Sequence, residues 1–372
     1  MPVSDPQPTD DTSRISPLPT AERRASRARR RARRQISLTT VGVFVAGALG
    51  VINFYHPGQP LLRPPFVSIA EAAAPAASPS ANAFGKSGEV RVRFSLPDQA
   101  VEYPIDVQGD PRSLAYQWVR VGDTLATAAL RPLAGNVVAP SAPGFYRLAL
   151  ARTALDSASG RARVTERRVV DGMTLAVLVP FSQKLGATLN GYRIGTYLAE
   201  RLKGSSHDHP EGFVQVGEED VDLPLSKHLR LGDFVTHDAQ DTWPRYAALN
   251  PQLLDKLELV LAEIASWRGD TANVNVGVDV HSGFRTPLYN RTVKRSAKDS
   301  RHQYGDAADV TIDANGDGRY TAADTKLVVR AVEVVEGRHP ELTGGLGLYT
   351  SRRYSTPYVH IDARGTRARW HG

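Results

Sequence analysis

Hydrophobic and polar positions change pattern several times along the chain, and the first pattern is one long apolar run. Residues 36–54 read ISLTTVGVFVAGALGVINF and contain no charged side chain. As a helix this run would be about 28 Å long at ~1.5 Å per residue, which is close to the ~30 Å hydrocarbon core of a bilayer. We therefore predict a transmembrane helix over residues 36–54.

Dense arginine precedes this run, since residues 23–34 read RRASRARRRARR. Such charge is retained on the cytoplasmic side of a membrane. This predicts a cytoplasmic tail over residues 1–35, a single-pass anchor in the bacterial inner membrane, and a C-terminal part in the periplasm or outside the cell. A cleaved export signal is the alternative, because residues 33–38 resemble a twin-arginine signal. The small-x-small cleavage sites lie far beyond the apolar run, which favours an uncleaved anchor.

Two further changes of pattern follow the anchor. Residues 55–88 are rich in proline, alanine and serine, a composition that predicts a flexible linker. Strand-like alternation then begins at Val90, Val92 and Phe94. Because more short apolar runs follow, separated by turn residues, we predict a β-rich accessory region over residues 89–222.

Two aromatic segments suggest an architecture for this region. Tyr116-Gln-Trp118 and Gly144-Phe-Tyr146 are loosely similar to the core strand and the tyrosine corner of an immunoglobulin-like sandwich. Aromatic side chains that fill a different β-core are the alternative interpretation.

Helical and strand patterns are combined in residues 223–372. An Asn-Pro pair at 250–251 can cap and begin a helix, and leucines follow it at helical spacing. Apolar alternation at 273–280, 310–312 and 358–362 predicts strands. The predicted fold class is α+β: a C-terminal domain with a small antiparallel sheet and flanking helices, preceded by the β-rich region and the N-terminal transmembrane helix.

Charge and composition exclude several functions. The formal net charge is +7, but residues 1–35 hold nine arginines against four acids. The remainder carries only about +2 and contains no nucleic-acid-binding motif, so we expect no nucleic-acid partner. The absence of cysteine excludes disulfides, thiolate metal sites and cysteine nucleophiles.

Three possible metal ligands lie in the C-terminal turn and strand segments. His302 and Asp309 flank a glycine, and His360 lies in a later strand-like run. Zinc binds imidazole and carboxylate groups, and catalytic zinc sites use three protein ligands and a water molecule. The residue types alone leave open that these are unrelated surface or core side chains.

Three ordered motifs make the sequence similar to a known family. It resembles the zinc peptidases that include D-alanyl-D-alanine carboxypeptidases and murein endopeptidases, over about 150 residues from position 223 onward. The family patterns are S-G-[FY]-R-[ST]-P-x-x-N, then S-x-H-x-x-G-x-A-x-D, then V-H-[IV]-D. The matching positions, in chain order, are Ser282, Gly283, Phe284, Arg285, Thr286, Pro287 and Asn290, then Ser300, His302, Gly305, Ala307 and Asp309, then Val359, His360, Ile361 and Asp362.

The resemblance implies a role for each central residue. His302, Asp309 and His360 would bind zinc, which activates water and polarises the scissile carbonyl. Arg285 would donate hydrogen bonds to the substrate carbonyl or to the developing oxyanion. A structural salt bridge is the alternative role of Arg285.

One position departs from the family pattern. Many relatives place a general-base carboxylate three residues before the last zinc histidine, where this chain has Pro357, which cannot accept a proton. Asp362 is our candidate replacement, because residues 360 and 362 of a strand point to the same face. Its alternative role is to orient a ligand histidine from behind. Asp306 and His281 are less favoured candidates.

A second metal-binding pattern lies between Asp309 and His360. Oxygen-bearing side chains, a glycine at the sixth position and an acid at the twelfth match a calcium-binding loop, and the final aspartate resembles the dockerin-type variant. The predicted calcium ligands are Asp313, Asn315, Asp317, Arg319 and Asp324. We predict a structural calcium ion that rigidifies this insertion, with a solvated turn as the alternative.

Together these features predict a membrane-anchored zinc metallopeptidase with two metals, zinc and calcium. Its partners would be peptidoglycan peptides, and its reaction D,D- or L,D-carboxypeptidase or endopeptidase cleavage of stem peptides or cross-links. The alternative function is a catalytically inactive, zinc-stabilised module that binds murein.

Overall fold

The structure is a computed structural model. It describes residues 67–69, 83–107, 110–123, 129–133, 136–155, 162–202, 209–269, 276–350 and 356–372. The predicted tail (1–35) and transmembrane helix (36–54) lie outside the described residues. Among the residues that are described, no helix is both long enough and apolar enough to span a bilayer.

Helices are few in the described part of the chain. The α-helices are α1 (Leu198–Arg201), α2 (Pro251–Trp267), α3 (Pro287–Asn290) and α4 (Ala322–Arg338). Single-turn 3-10 helices lie at Pro111–Ser113, Phe181–Gln183, Glu218–Asp222, Leu231–Phe234, Arg301–Tyr304 and Pro340–Leu342.

Strands dominate, in several small sheets, so the fold is α+β as predicted. In chain order they are β1 (Val67–Ile69), β2 (Val92–Ser95), β3 (Ala100–Val101), β4 (Ile105–Val107), β5 (Leu114–Arg120), β6 (Arg131–Pro132), β7 (Val137–Val138), β8 (Gly144–Leu155), β9 (Ala162–Val169), β10 (Thr174–Val177), β11 (Val179–Pro180), β12 (Thr188–Leu189), β13 (Tyr192–Arg193), β14 (Gly212–Val216), β15 (Arg245–Ala247), β16 (Val278–Ser282), β17 (Ala307–Ile312), β18 (Gly345–Tyr349), β19 (Tyr358–Asp362) and β20 (Ala368–His371).

The predicted β-rich region contains a six-stranded sheet. Its order is β2-β10-β8-β5-β6, with β9 paired to β8. Tyr116 and Trp118 are buried as core residues, and the Trp118 indole donates to the carbonyl of Val138 at 2.7 Å. The Tyr146 hydroxyl donates to the carbonyl of Ala142, four residues upstream, at 2.9 Å, which is the bond of a tyrosine corner.

The immunoglobulin-like prediction is met only at this corner. In the described part of the chain, strand pairing gives the one six-stranded sheet and separate small sheets and ribbons, such as β3–β7 and β1–β4. Moreover, β2 pairs with β10 in parallel, whereas immunoglobulin-type sheets are antiparallel.

A five-stranded sheet organises the C-terminal part, in the order β16-β17-β19-β18-β20. Every pair is antiparallel except β18–β20, which is parallel. The chain turns after β19 and returns along the far side of β18, so the predicted antiparallel sheet has one parallel edge. One face buries alternate apolar residues, and α4 packs against β17 and β19.

The predicted helix at residue 250 is confirmed. The Asn250 side chain accepts a hydrogen bond from the Gln252 amide at 2.8 Å, and Pro251 is the first helical residue. The predicted strand at 273–280 instead begins at Val278 and continues to Ser282. Residues 270–275 lie outside the described residues.

The core continues across the predicted boundary at 222/223. The described residues from 67 onward belong to one compact unit, and one apolar cluster contains residues of β2, β8, α2, α4 and β17. The last residues of the predicted linker belong to this fold, because the Asp255 carboxylate of α2 accepts the amides of Lys86 and Ser87, each at 2.8 Å.

Candidate metal centre

The three predicted zinc ligands come from three different elements. His302 lies in the 3-10 helix at Arg301–Tyr304, Asp309 in β17 and His360 in β19. Asp309 and His360 are direct partners in the β17–β19 register. All three residues are at most 7 % exposed, so the structure brings the predicted group together in a buried position.

Gly305 allows the 3-10 helix to turn into β17. It has a φ of +75°, in the left-handed region, and a side chain there would lie 2.2 Å from the Ala248 carbonyl oxygen. Only glycine satisfies both conditions. This tight turn brings His302 back over Asp309.

One polar atom of each residue points to a common centre. His302 Nε2 lies 3.2 Å from Asp309 Oδ1 and 3.2 Å from His360 Nδ1, and the last two atoms are 2.9 Å apart. Ligands at ~2.0–2.1 Å from a tetrahedral zinc ion are separated by roughly 3.3 Å. The donor set and its spacing therefore suit a zinc ion, and the group could hold a metal.

The remaining nitrogen of each histidine has its own acceptor. His302 Nδ1 lies 2.7 Å from the Gly283 carbonyl oxygen, and His360 Nε2 lies 3.2 Å from Asp362 Oδ2. If these nitrogens carry the ring protons, the lone pairs of His302 Nε2 and His360 Nδ1 face the common centre.

Electrostatics favour a cation between these side chains. Burial lowers the pKa of His302, which favours the neutral ring that a metal ligand requires. Burial would raise the pKa of Asp309, but the adjacent His302 and His360 rings hold it well below its usual range. Burial likewise opposes protonation of His360, yet its bonds to Asp309 and Asp362 raise its pKa.

Arg285 lies beside the group, on the other oxygen of Asp309. Its guanidinium donates to Asp309 Oδ2 and to the Ser282 hydroxyl, the latter at 2.7 Å. Its main-chain amide donates to the His302 carbonyl at 3.0 Å. Arg285 therefore fixes the direction of the Asp309 carboxylate, and it is a cation at the edge of the site.

Asp362 supports His360 from behind. It is 0 % exposed, and its oxygens accept from the Gly345 amide at 2.6 Å and from the Arg364 side chain and amide as well as from His360. Burial would raise its pKa, but His360 and Arg364 hold it far below the usual range. A carboxylate held in this way is suited to orienting His360 and poorly suited to accepting a proton.

The two less favoured base candidates differ in access. Asp306 is 2 % exposed and its carboxylate is bound by Arg301. The His281 side chain is 32 % exposed, and its Nε2 lies 3.1 Å from the Thr311 hydroxyl. A bulge in β16 falls at His281, and such bulges redirect side chains. His281 thus lies on the same sheet face as the ligands, since Thr311 and Asp309 share that face.

Sequence reasoning missed an aromatic row on this face. Tyr349 and Tyr358 are stacked with ring centroids 4.5 Å apart, and the Trp370 indole donates to the Tyr349 hydroxyl at 2.9 Å. The Trp370 ring lies 5.1 Å from the His360 ring and directly over Gly347, where a side chain would come within 2.4 Å of it. Strand alternation could have identified Tyr358, but Trp370 reaches His360 only through the parallel β18–β20 pairing.

Lys256 is a second residue that the sequence did not reveal. It is 0 % exposed and donates to the Asp362 carbonyl at 2.7 Å and to Glu336 Oε1 at 2.8 Å. α2 and α4 are thereby both tied to the end of β19, where His360 and Asp362 lie.

The predicted calcium loop has a different arrangement. The Asp313 carboxylate accepts the amides of Gly316 and Gly318, each at 2.9 Å, and Asp324 accepts those of Ala314 and Thr321 at 3.0 and 2.8 Å. Among the described residues, the group of His302, Asp309 and His360 is where three metal-binding side chains converge. The loop carboxylates do not form such a group, so calcium binding is unsupported.

The chain has little similarity to known proteins, in sequence or in structure. No protein-family model matches the chain, and no curated protein matches it. A solved structure that does match is that of the L-Ala D-Glu endopeptidase ChiX of Serratia marcescens, at 18 % identity and a TM-score of 0.22, over 32 % of this chain and 83 % of that chain. A TM-score this low carries no argument about function, so the site must be judged on this chain's own residues.

Proposed function

We propose that this protein is a zinc-dependent peptidase that hydrolyses peptide bonds in peptidoglycan stem peptides or cross-links. The observation that carries the proposal is the buried convergence of His302 Nε2, Asp309 Oδ1 and His360 Nδ1 within 2.9–3.2 Å of one another. The choice of substrate is supported by the three ordered motifs that resemble murein peptidases.

The three side chains would hold the zinc ion, and the residues behind them would set its environment. When bound, zinc supplies Lewis-acid activation of water and of a carbonyl group. Gly283 and Asp362 fix the two histidine rings through the nitrogens that do not face the centre. Such outer partners raise ligand basicity and keep the site in one geometry.

We assign Arg285 to the negative charge that develops on the substrate carbonyl. Its guanidinium is 12 % exposed and is held by Asp309 and by Ser282. A cation fixed in this way needs little reorganisation during the reaction, which is the condition under which electrostatic stabilisation is largest.

We assign proton transfer to His281. Pro357 occupies the position of the usual base, and Asp306 and Asp362 are buried and ion-paired. His281 keeps exposed surface on the ligand face of the sheet. An imidazole is the usual general base near neutral pH.

A murein-binding module without catalysis is the second candidate. Two observations favour it: Pro357 at the expected base position, and the complete engagement of Asp362 in the fold. In this case a metal at the same group would stabilise the fold without promoting hydrolysis.

Muropeptide analysis separates the two candidates. Purified sacculi are incubated with the zinc-loaded protein, with the protein in chelator, and with a His302→Ala variant. If the protein is a peptidase, new muropeptides should form only in the sample with the zinc-loaded protein. Their structures would identify the bond that is cut. An unchanged profile with zinc fully loaded would support the binding module.

A matched control guards against effects of histidine removal in general. His339 forms the C-terminal cap of α4, outside the ligand group. A His339→Ala variant should retain the activity of the unmodified protein. If His302→Ala also retained it, the zinc assignment would be refuted.

A further inference from the structure

The segment that connects α3 to the 3-10 helix of His302 is strongly basic. Its one acid, Asp299, lies at its end, and its four cations are all exposed: Arg291, Lys294, Arg295 and Lys298. The chain beyond residue 35 carries a formal charge of only about +2. Without residues 291–298, which we call the basic loop, that part of the protein would be net negative.

None of the four cations of the basic loop is neutralised by a carboxylate of the described fold. Within the described residues, the side chains of Lys294, Arg295 and Lys298 have no hydrogen-bond or ion-pair partner. Arg291 donates to the Thr196 hydroxyl at 3.0 Å and to no carboxylate. These side chains therefore contribute little to folding and are available to an external anion.

The backbone of the basic loop is nevertheless fixed by hydrogen bonds from neighbouring side chains. The buried Asn290 side chain donates to the Ala297 carbonyl at 2.9 Å, and the buried Gln303 side chain donates to the Lys298 carbonyl at 3.0 Å. The Ser296 hydroxyl donates to the Asn290 carbonyl at 2.6 Å. Because the backbone is already ordered, binding through the loop loses less conformational entropy.

Arg295 shows how firmly the loop is held. Its φ is +62°, in the left-handed region, where a residue with a side chain is strained. Such conformations persist only where the surroundings fix them, and they are concentrated at functional sites.

The basic loop connects, along the chain, the two segments that carry Arg285 and His302. It starts after Asn290, in the same motif as Arg285, and it leads into Ser300 and His302. The Arg285 amide donates to the His302 carbonyl, which joins these two segments. The loop is therefore a continuation of the segments that carry Arg285 and His302.

We propose that the basic loop binds the free carboxylates of murein stem peptides and so holds the polymer against the metal centre. This inference rests on the proposed function for the identity of the polymer. Single exposed ion pairs contribute little, but repeated carboxylates on one polymer can engage several cations together. Binding of this kind weakens with salt.

The composition of the loop favours this ligand over two other anionic partners. Stacking on nucleic-acid bases requires aromatic side chains, and residues 291–298 contain none. Insertion into a lipid surface requires large apolar side chains, and the apolar residues here are only Val293, which is half-buried, and Ala297, whose side chain is a single methyl group.

Co-sedimentation with purified sacculi tests the proposal without any hydrolysis. The full-length protein is assayed in chelator at low salt and compared with a Lys294→Gln/Arg295→Asn/Lys298→Gln variant, since asparagine tolerates a positive φ. We expect about tenfold weaker binding by the variant, or ~1.4 kcal/mol. High salt should reduce the unmodified protein to the level of the variant.

The matched control removes the same charge elsewhere. Three arginines are exposed on β9: Arg163, Arg167 and Arg168. A variant in which all three are replaced by glutamine should bind sacculi within about twofold of the unmodified protein, as expected for an ordinary surface change. Amidation of the sacculus carboxylates should remove the difference between the loop variant and the unmodified protein.

Several results would overturn the inference. One is equal loss of binding in both triple variants, which would indicate net charge alone. Another is a loop effect that survives amidation, and a third is loop-dependent binding to anionic phospholipid vesicles but not to sacculi. Because the assay is run in chelator, it measures binding without hydrolysis. If the protein did not hydrolyse murein but still bound sacculi through the basic loop, the proposed peptidase activity would be contradicted, whereas the proposed ligand of the loop would not.

Discussion

Two segments of this chain carry metal-binding patterns, but their side chains are arranged differently in the structure. At His302, Asp309 and His360, three polar atoms from three elements face one another in a buried position. In the loop from Asp313 to Asp324, the carboxylates instead face main-chain amides.

The difference lies in what satisfies the other polar atoms. Both ligand histidines have a second acceptor behind them, Gly283 or Asp362, so their remaining nitrogens are directed at the centre. Neither oxygen of Asp324 is left to face a metal in this way, because both oxygens accept hydrogen bonds from the loop and from the start of α4. Spacing identifies candidate ligands, whereas the surrounding partners decide whether they converge.

The largest effect should come from removing one ligand of the convergent group. A His302→Ala variant keeps two ligands of three, and we expect its zinc affinity to fall by more than about 100-fold, since loss of an outer partner alone costs roughly 10–100-fold. Isothermal calorimetry with zinc measures this. Wild-type affinity in the variant would show that the buried group is not the zinc site.

The next test asks whether the convergent group does chemistry. A His281→Ala variant should lose about 100-fold or more in kcat, as expected for a missing general base. Its zinc affinity should stay within about twofold, because His281 contacts Thr311 and not a ligand. Stopped assays on isolated muropeptides, together with calorimetry, check both values, and an unchanged kcat would exclude His281 as the base.

A smaller loss should follow from changing the support behind His360. An Asp362→Asn variant keeps the size of the side chain but removes the charge that holds His360 Nε2 and Arg364. We expect zinc affinity to fall by about 10–100-fold. Calorimetric titration with zinc, under conditions in which both proteins are equally folded, measures this loss of affinity. A loss below twofold would mean that Asp362 is not needed to orient the His360 ring.

The elements that the sequence predicted well are those with a local pattern. The helix from Pro251 and the strand at Tyr358–Asp362 both appear where capping residues and periodicity placed them. The trio of His302, Asp309 and His360 could be identified because three ordered motifs resemble those of a known family, whereas the residue types alone left it open.

What the sequence could not predict depends on distant pairing. Lys256 is buried because Glu336 and the Asp362 carbonyl, from other segments, surround its charge. Trp370 reaches His360 because β20 pairs with β18, and the short alternation of its strand (ARWH) does not show which strand it pairs with. The same limit applies to the Asp-rich loop, whose spacing cannot show that its oxygens face main-chain amides.

The Asp-rich loop should respond to mutation through stability. Asp324 caps α4 and accepts the buried amide of Ala314. An Asp324→Ala variant should lower the free energy of unfolding by about 2 kcal/mol, from the lost cap and the unpaired amides. Urea denaturation without calcium measures this, and an unchanged midpoint would show that these bonds do not hold the loop.

The smallest effect is expected at Asp317, and it decides the calcium prediction. Asp317 is exposed in the loop and accepts the Arg319 amide at 2.8 Å and the Asn315 side chain at 3.0 Å. Because calcium would have to replace such bonds without a convergent set of carboxylates, we expect no saturable heat when calcium is titrated into the protein, and the same trace for Asp317→Ala. The variant should also unfold within about 0.5 kcal/mol of the unmodified protein, as exposed substitutions do. A saturable calcium heat that Asp317→Ala abolishes would contradict this expectation and make the loop a second metal site, with ligands that rearrange on binding.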